Sequence, residues 1–185
     1  DTISDVFILL CPISFGECFM DWVNSIHKIT DGRVVALDGK TVRCAANKDS
    51  KKGALHIVSA YASMQRICLG CVAVDEKSNE ITAIPKLLDL LTLEGSIVTI
   101  DAMGCQKEIA KKIISKSADY ILMVKDNQAE LKEQLMKVFT RSVDLKKAET
   151  IDSDHGRVEK RLCETTSSLV FLDGKEDWCK LQSIV

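Results

Sequence analysis

No one sign of charge dominates this 185-residue chain: 25 Lys and Arg stand against 27 Asp and Glu, a formal net charge of -2. The global basic field that would announce a nucleic-acid partner is therefore missing, and any such contact has to come from local basic clusters. No apolar run reaches the roughly 18 residues that a membrane span needs. The opening Val6-Phe7-Ile8-Leu9-Leu10 is short and runs into Pro12, so a soluble protein with no membrane partner is expected. There is no secretory signal pattern, and the eight cysteines are irregularly spaced; both argue for reduced thiols in the cytoplasm. Cys68 and Cys71 form a CxxC, but structural zinc needs four ligands and no second CxxC or CxxH follows. An initiator Met is absent at Asp1, and the chain stops at Val185 inside an apolar stretch. Both ends are expected to be cut.

What is present is enough for one sizeable core, since 46% of residues are hydrophobic. Phe15, Cys18, Phe19, Trp22 and Ile26 recur at helical spacing, giving an amphipathic helix within an N-terminal segment 1–30 that Asp31-Gly32 ends. Arg33 to Leu37 reads as a buried strand stopping at Asp38-Gly39. Leu55–Tyr61 and Ile67–Val74 form a plausible hairpin. Ser78-Asn79 or Thr82 can cap a helix to about Leu91 that holds Pro85 in its first turn. A strand, Ser96 to Ile100, ends at Asp101; a helix from Gln106 to Lys116, a strand from Tyr120 to Val124 and a helix from Gln128 to about Phe139 follow. Residues 148–172 alternate charged and apolar groups in short pieces, as antiparallel strands do. Three leading strands followed by alternating helices and strands imply an α/β fold with a mixed sheet covered by helices on both faces. A ribonuclease-H-like domain has this order of elements, and so do other mixed α/β folds.

Asp38 and Asp101 each follow a short apolar strand, Val34-Val35-Ala36-Leu37 and Ile97-Val98-Thr99-Ile100. Two-metal phosphodiester cleavage needs carboxylates on rigid elements that hold two Mg²⁺ about 4 Å apart, and Mg²⁺ is satisfied by a few carboxylates plus water. Neighbouring strand ends supply such positions. The plainer readings are an Asp-Gly turn at Asp38 and a helix N-cap or loop acid at Asp101. Spacing alone leaves both readings open.

Lys40, Arg43, Lys48, Lys51 and Lys52 crowd the loop after Asp38, where cations could meet backbone phosphates or simply face solvent. Lys107, Lys111, Lys112 and Lys116 read as the outer face of a helix. Lys125 precedes Asp126-Asn127-Gln128, polar groups that could face a metal site or cap the next helix. His155 to Arg161 concentrates ionisable groups, with Arg157 able to meet phosphate and Glu159 able to serve as an acid, although a charged hairpin edge looks the same. His27 and His56 have no ligand partners at metal spacing and read as structural.

Six stretches, "VVALDGKTVR", "LHIVSAYAS", "DEKSNEITAIPKLLDLL", "GSIVTIDAMGCQKEIAKKI", "ADYILMVKDNQ" and "HGRVEKR", occur in that order. Together they resemble the DDE transposases of bacterial insertion sequences related to the H-repeat-associated proteins, from about Phe15 through Val185. The resemblance implies a ribonuclease-H-like core at 31–141, preceded by the helical segment 1–30 and followed by a β-rich insertion at 142–185. It implies metal-dependent DNA cleavage and strand transfer with Mg²⁺ or Mn²⁺, and double-stranded DNA (element ends and target) as partner. A homodimer on DNA and a bacterial cytoplasmic location go with it. The family's first two catalytic acids match Asp38 and Asp101, which would also be the metal ligands; from the residues themselves, Lys40, Arg43, Lys125 and Arg157 are the candidates for DNA contact. Its third acid is a Glu in a helical motif resembling HWxIENxLHW, expected beyond "WCKLQSIV"; Glu159 is the weaker candidate within the chain. Departures are Asp126, where a small residue and Gly are usual, and Cys44, where Gly or Ser is common. Two rivals remain beside a transposase: an inactive truncated remnant with at most DNA-binding activity, and a ribonuclease-H-like nuclease that does not transpose.

Overall fold

The computed structural model describes residues 2–26, 33–42, 55–74, 79–154 and 156–185. The chain divides into two compact units, Asp1–Met123 and Val124–Val185. The boundary drawn from sequence lay at 141/142, so the helix that precedes it falls in the second unit.

The first unit is built on a five-stranded mixed sheet with strand order β3-β2-β1-β4-β5. Its strands are β1 (Val34–Val42), β2 (Leu55–Ala62), β3 (Ile67–Ala73), β4 (Ile97–Ile100) and β5 (Asp119–Leu122). The first three pair antiparallel, while β1–β4 and β4–β5 are parallel. The expected hairpin is β2–β3, closed by a turn in which Arg66 takes a positive φ of 57°. The sequence logic is visible in burial. Val35, Leu37, Val98 and Ile100 are buried where their strands cross the core, as apolar, β-branched-rich strands covered by other elements should be.

Helices α1 (Thr2–Leu9) and α2 (Pro12–Ile26) precede the sheet. The helix expected over 1–30 is thus two, broken at Leu10-Cys11 before Pro12, with a bend of 98°. Pro12 explains the break, because the residue before a proline is pushed out of helical conformation. Among the described residues, no single helix is long and apolar enough to cross a membrane. Helix α3 (Glu80–Leu90) starts at Asn79, whose side chain accepts a hydrogen bond from the Thr82 N–H at 3.3 Å. This early start puts Pro85 inside the helix and not in its first turn. Leu87 and Leu88 are fully buried and anchor α3 against β2 and β3. A Cβ on Gly70 of β3 would strike Met20 of α2 and approach Leu87 of α3, so those two helices cover the same face there. Helix α4 (Lys107–Ser115) buries Ile109, Ala110 and Ile113; of the lysines expected outside, Lys107 and Lys111 are exposed, while Lys112 and Lys116 are half-buried and bond to Asp89 of α3.

In the second unit, α5 (Ala129–Arg141) packs Val138 with Leu172 and Ile184. The antiparallel pair β6 (Lys146–Asp154) and β7 (Arg157–Thr165) forms a separate two-stranded sheet. Strand character expected to 172 ends at Thr165; beyond it the chain is irregular, tied by an isolated bridge between Thr166 and Ile184. Thr166 is buried and donates and accepts through its backbone with Ile184 at 3.0 Å.

Candidate functional site

The site forms where β1 and β4 part. The last pair in their parallel ladder is Leu37↔Ile100, so Asp38 and Asp101 are the next residue on each of two adjacent strands. Neighbouring strands lie about 4.8 Å apart, which puts the two residues side by side. After Ile100 the chain leaves the sheet for a 3-10 turn, Ala102–Gly104. Strand β1 does not stop at Asp38-Gly39 as the sequence suggested. It continues to Val42, because β2 keeps pairing with it from Asp38↔Ser59 to Val42↔Leu55. Asp38 therefore sits on a strand held from one side only, and the Ser59 hydroxyl donates to its carbonyl at 3.4 Å.

Both aspartates are exposed and line one pocket with Leu37, Gly39, Val58, Glu80, Ile84, Ile100, Met103 and Gly104. The floor is apolar core and the rim is carboxylate. Asp101 also caps the 3-10 turn, its Oδ1 accepting from the Ala102 N–H at 2.5 Å, so the plainer reading of this residue is realised too. One such bond does not exhaust a carboxylate, which offers about four lone-pair sites. Glu80 is the residue that sequence reasoning passed over. It is the first residue of α3, behind the Asn79 cap, where an acid is ordinarily explained by the helix dipole. Its carboxylate lies against Gly39: a Cβ there would collide with the carboxyl carbon and both oxygens of Glu80.

The donor set has the chemistry of a hard-cation site, since Mg²⁺ takes carboxylate oxygens and keeps several waters. Among the described residues, however, no three His, Cys, Asp or Glu side chains gather closely enough to hold an ion by themselves. A cation there would rest on the two aspartate carboxylates and water. Cys68 and Cys71 are exposed on β3 and join no such group either.

The remaining candidates are distributed. Lys40 is exposed two residues beyond Asp38 on β1, the spacing that returns a strand side chain to the same face. Arg43, Lys48, Lys51, Lys52, His27 and His155 lie outside the described residues. His56 shares a 2.9 Å hydrogen bond with the Thr41 hydroxyl across the β1–β2 ladder, a structural use. In the second unit, Lys125 precedes the 3-10 turn Asp126–Gln128, and Asp126 is held below the usual carboxylate range by its hydrogen bond and ion pair with Lys132 at 2.7 Å. Arg157 opens β7 opposite Asp154. Glu159 is exposed on the same strand and ion-paired with Arg161 at 2.6 Å, an edge charge with a local partner.

The sequence pattern of the family described as the transposase DDE domain matches residues 29–169. The chain belongs to that family. The match takes in β1, β4 and the pocket between them. Among curated relatives of this DDE-domain chain, YncI of Escherichia coli strain K12, provisionally named a transposase, is 45% identical over 88% of this chain and 67% of its own. The provisionally named H repeat-associated transposases YbfD and YhhI of the same strain are each 40% identical. YbfD aligns with 92% of this chain and 70% of its own, and YhhI with 100% of this chain and 50% of its own. The chain thus spans about half the length of several curated relatives that it matches.

Proposed function

We propose that the whole protein is a DDE transposase of a bacterial insertion sequence, and that Asp38 and Asp101 are its first two metal-holding acids. The observation that carries the reading is their adjacency just past Leu37↔Ile100, at the rim of one pocket, in a chain of this family. We read the sheet as the core of a ribonuclease-H-like domain and the β6–β7 region as an insertion in it.

A divalent cation, Mg²⁺ or Mn²⁺, would activate water or a DNA 3′-hydroxyl and stabilise the leaving oxygen of an in-line phosphodiester displacement. The chain's part is to hold and orient. Asp38, held within β1 by the β2 ladder, and Asp101, held just past the end of β4 by its bond to Ala102, would present carboxylate oxygens from adjacent strands. Lys40 stands on the same strand to meet a backbone phosphate, and Arg43, Lys125 and Arg157 are the further candidates for DNA contact. The third acid is expected on a helix downstream of this sequence; Glu159 is the weaker alternative. Double-stranded DNA, a homodimer on it and a bacterial cytoplasmic setting complete the proposal.

The test uses a full-length relative and its own element ends, with Mg²⁺ or Mn²⁺. Asp38→Ala and Asp101→Ala are expected to abolish strand transfer while leaving the fold intact by circular dichroism. Normal transposition by either variant would refute the assignment. For the 185-residue chain itself, no cleavage of the same ends would favour an inactive remnant. Cutting of DNA that lacks any element end would favour a nuclease that does not transpose.

A further inference from the structure

We propose that Glu80 is a third carboxylate of the Asp38–Asp101 pocket, acting on the water shell of the bound cation from the N-terminus of α3. The proposal rests on the metal-site reading of the two aspartates and adds a residue to it. Two observations on the structure carry it.

Glu80 lines the same pocket as Asp38 and Asp101. Its carboxylate is half-buried over Gly39, the neighbour of Asp38 on β1, and occupies the space that any β-carbon at that position would take. Glycine is disfavoured inside strands and marks close approach by something else; here that something is a carboxylate. Gly39 has no positive φ, so backbone freedom does not explain it, and the atoms that a β-carbon would meet there are those of the Glu80 carboxylate. Among the described residues no three His, Cys, Asp or Glu side chains gather closely enough to hold an ion, so Glu80 is placed against cation-bound water and not on the cation. Mg²⁺ keeps several waters, and outer partners of this kind tune affinity. Glu80 is thus a positioning residue and not a direct ligand.

The test is Mn²⁺ titrated into the chain by calorimetry, with melting in EDTA as the control for folding. Wild type is expected to bind Mn²⁺, and Asp38→Asn and Asp101→Asn to lose it. Glu80→Gln, which keeps size and removes charge, is expected to weaken binding about tenfold or more at an unchanged melting midpoint in EDTA. Gly39→Ala keeps Glu80 in the sequence but forces its carboxylate aside, and is expected to weaken Mn²⁺ binding in the same way. Glu80→Asp should recover part of the affinity. Wild-type affinity in Glu80→Gln, with binding still lost in the aspartate variants, overturns the role of Glu80 and leaves the aspartate pair standing. Weaker binding matched by a lower midpoint in EDTA overturns it as well, because Glu80 is then only a helix-end acid. No Mn²⁺ binding by wild type sinks the metal-site reading and this proposal together.

Discussion

At the scale of single residues, the pocket is organised by what backs each carboxylate. Asp38 is backed by a strand pair on one side, Asp101 by its own capping bond, and Glu80 by a glycine that leaves it room. The apolar residues beneath them impose a different chemistry on Cys105, next to the Asp101 turn. Burial pushes its thiol up to about 11 from an ordinary 9.0, because an anion there loses solvation. A group whose pKa is raised on folding stabilises the fold fully below its unfolded value and loses that contribution as pH rises through the folded one. Stability should therefore fall between about pH 9 and 11, and Cys105→Ala should flatten that alkaline limb in denaturant titrations. An unchanged limb would mean the thiol is solvated.

Whether a strand stops at an Asp-Gly pair is not a local property, and this is where reading the sequence ran out. Val34 to Leu37 was legible as a strand because its residues are apolar. The continuation from Asp38 to Val42 was not, because it depends on β2 arriving to pair with it. Glu80 was illegible for the same reason: its helix position suffices to explain it until Gly39 is seen beneath it. Asp38 and Asp101 stood out as candidates because two apolar runs are each followed by an acid, although their adjacency needed the register Leu37↔Ile100.

At the scale of elements, α3 carries the most responsibility, since it positions Glu80 at one end and seals the sheet with Leu87 and Leu88, both 0% exposed. Truncating such a side chain removes its burial and leaves a cavity. Leu87→Ala is expected to destabilise the fold by about 2–5 kcal/mol in urea unfolding; a loss well under 1 kcal/mol would mean that the helix is not packed as described.

The same helix is tied to α4 by the Lys112–Asp89 ion pair at 2.5 Å. Its hydrogen bond from Lys112, helped by the charges of Lys112 and Lys116, holds Asp89 below the ordinary 3.8. A lowered carboxyl pKa stabilises the fold above the unfolded value and loses that effect as pH falls through the folded value. The acid limb of stability below about pH 3.8 should therefore be shallower in Lys112→Met. The change should be small, because the pair is exposed and salt-screened, and it should shrink further in high salt. An acid limb identical to wild type at low salt would remove the pair from the account.

At the scale of the whole molecule, each unit has its own core: β-strands with α3 and α4 in the first, α5 with the irregular C-terminal segment in the second. Composition pointed to one sizeable core and does not show the second, because the residues that bury α5, Leu172 and Ile184, lie far along the chain in stretches without helical or strand periodicity. The family match spans both units, yet the pocket belongs wholly to the first. Asp38, Glu80 and Asp101 come from three elements distant in sequence and line one cleft where β1 and β4 part. The function proposed for them stands on a divalent cation being held jointly by the two aspartates. Anomalous scattering from Mn²⁺-soaked crystals measures this most directly. The account predicts a manganese peak within coordination distance, about 2.0–2.6 Å, of carboxylate oxygens from both Asp38 and Asp101. A peak bound by neither aspartate, or none at saturating Mn²⁺, would contradict it.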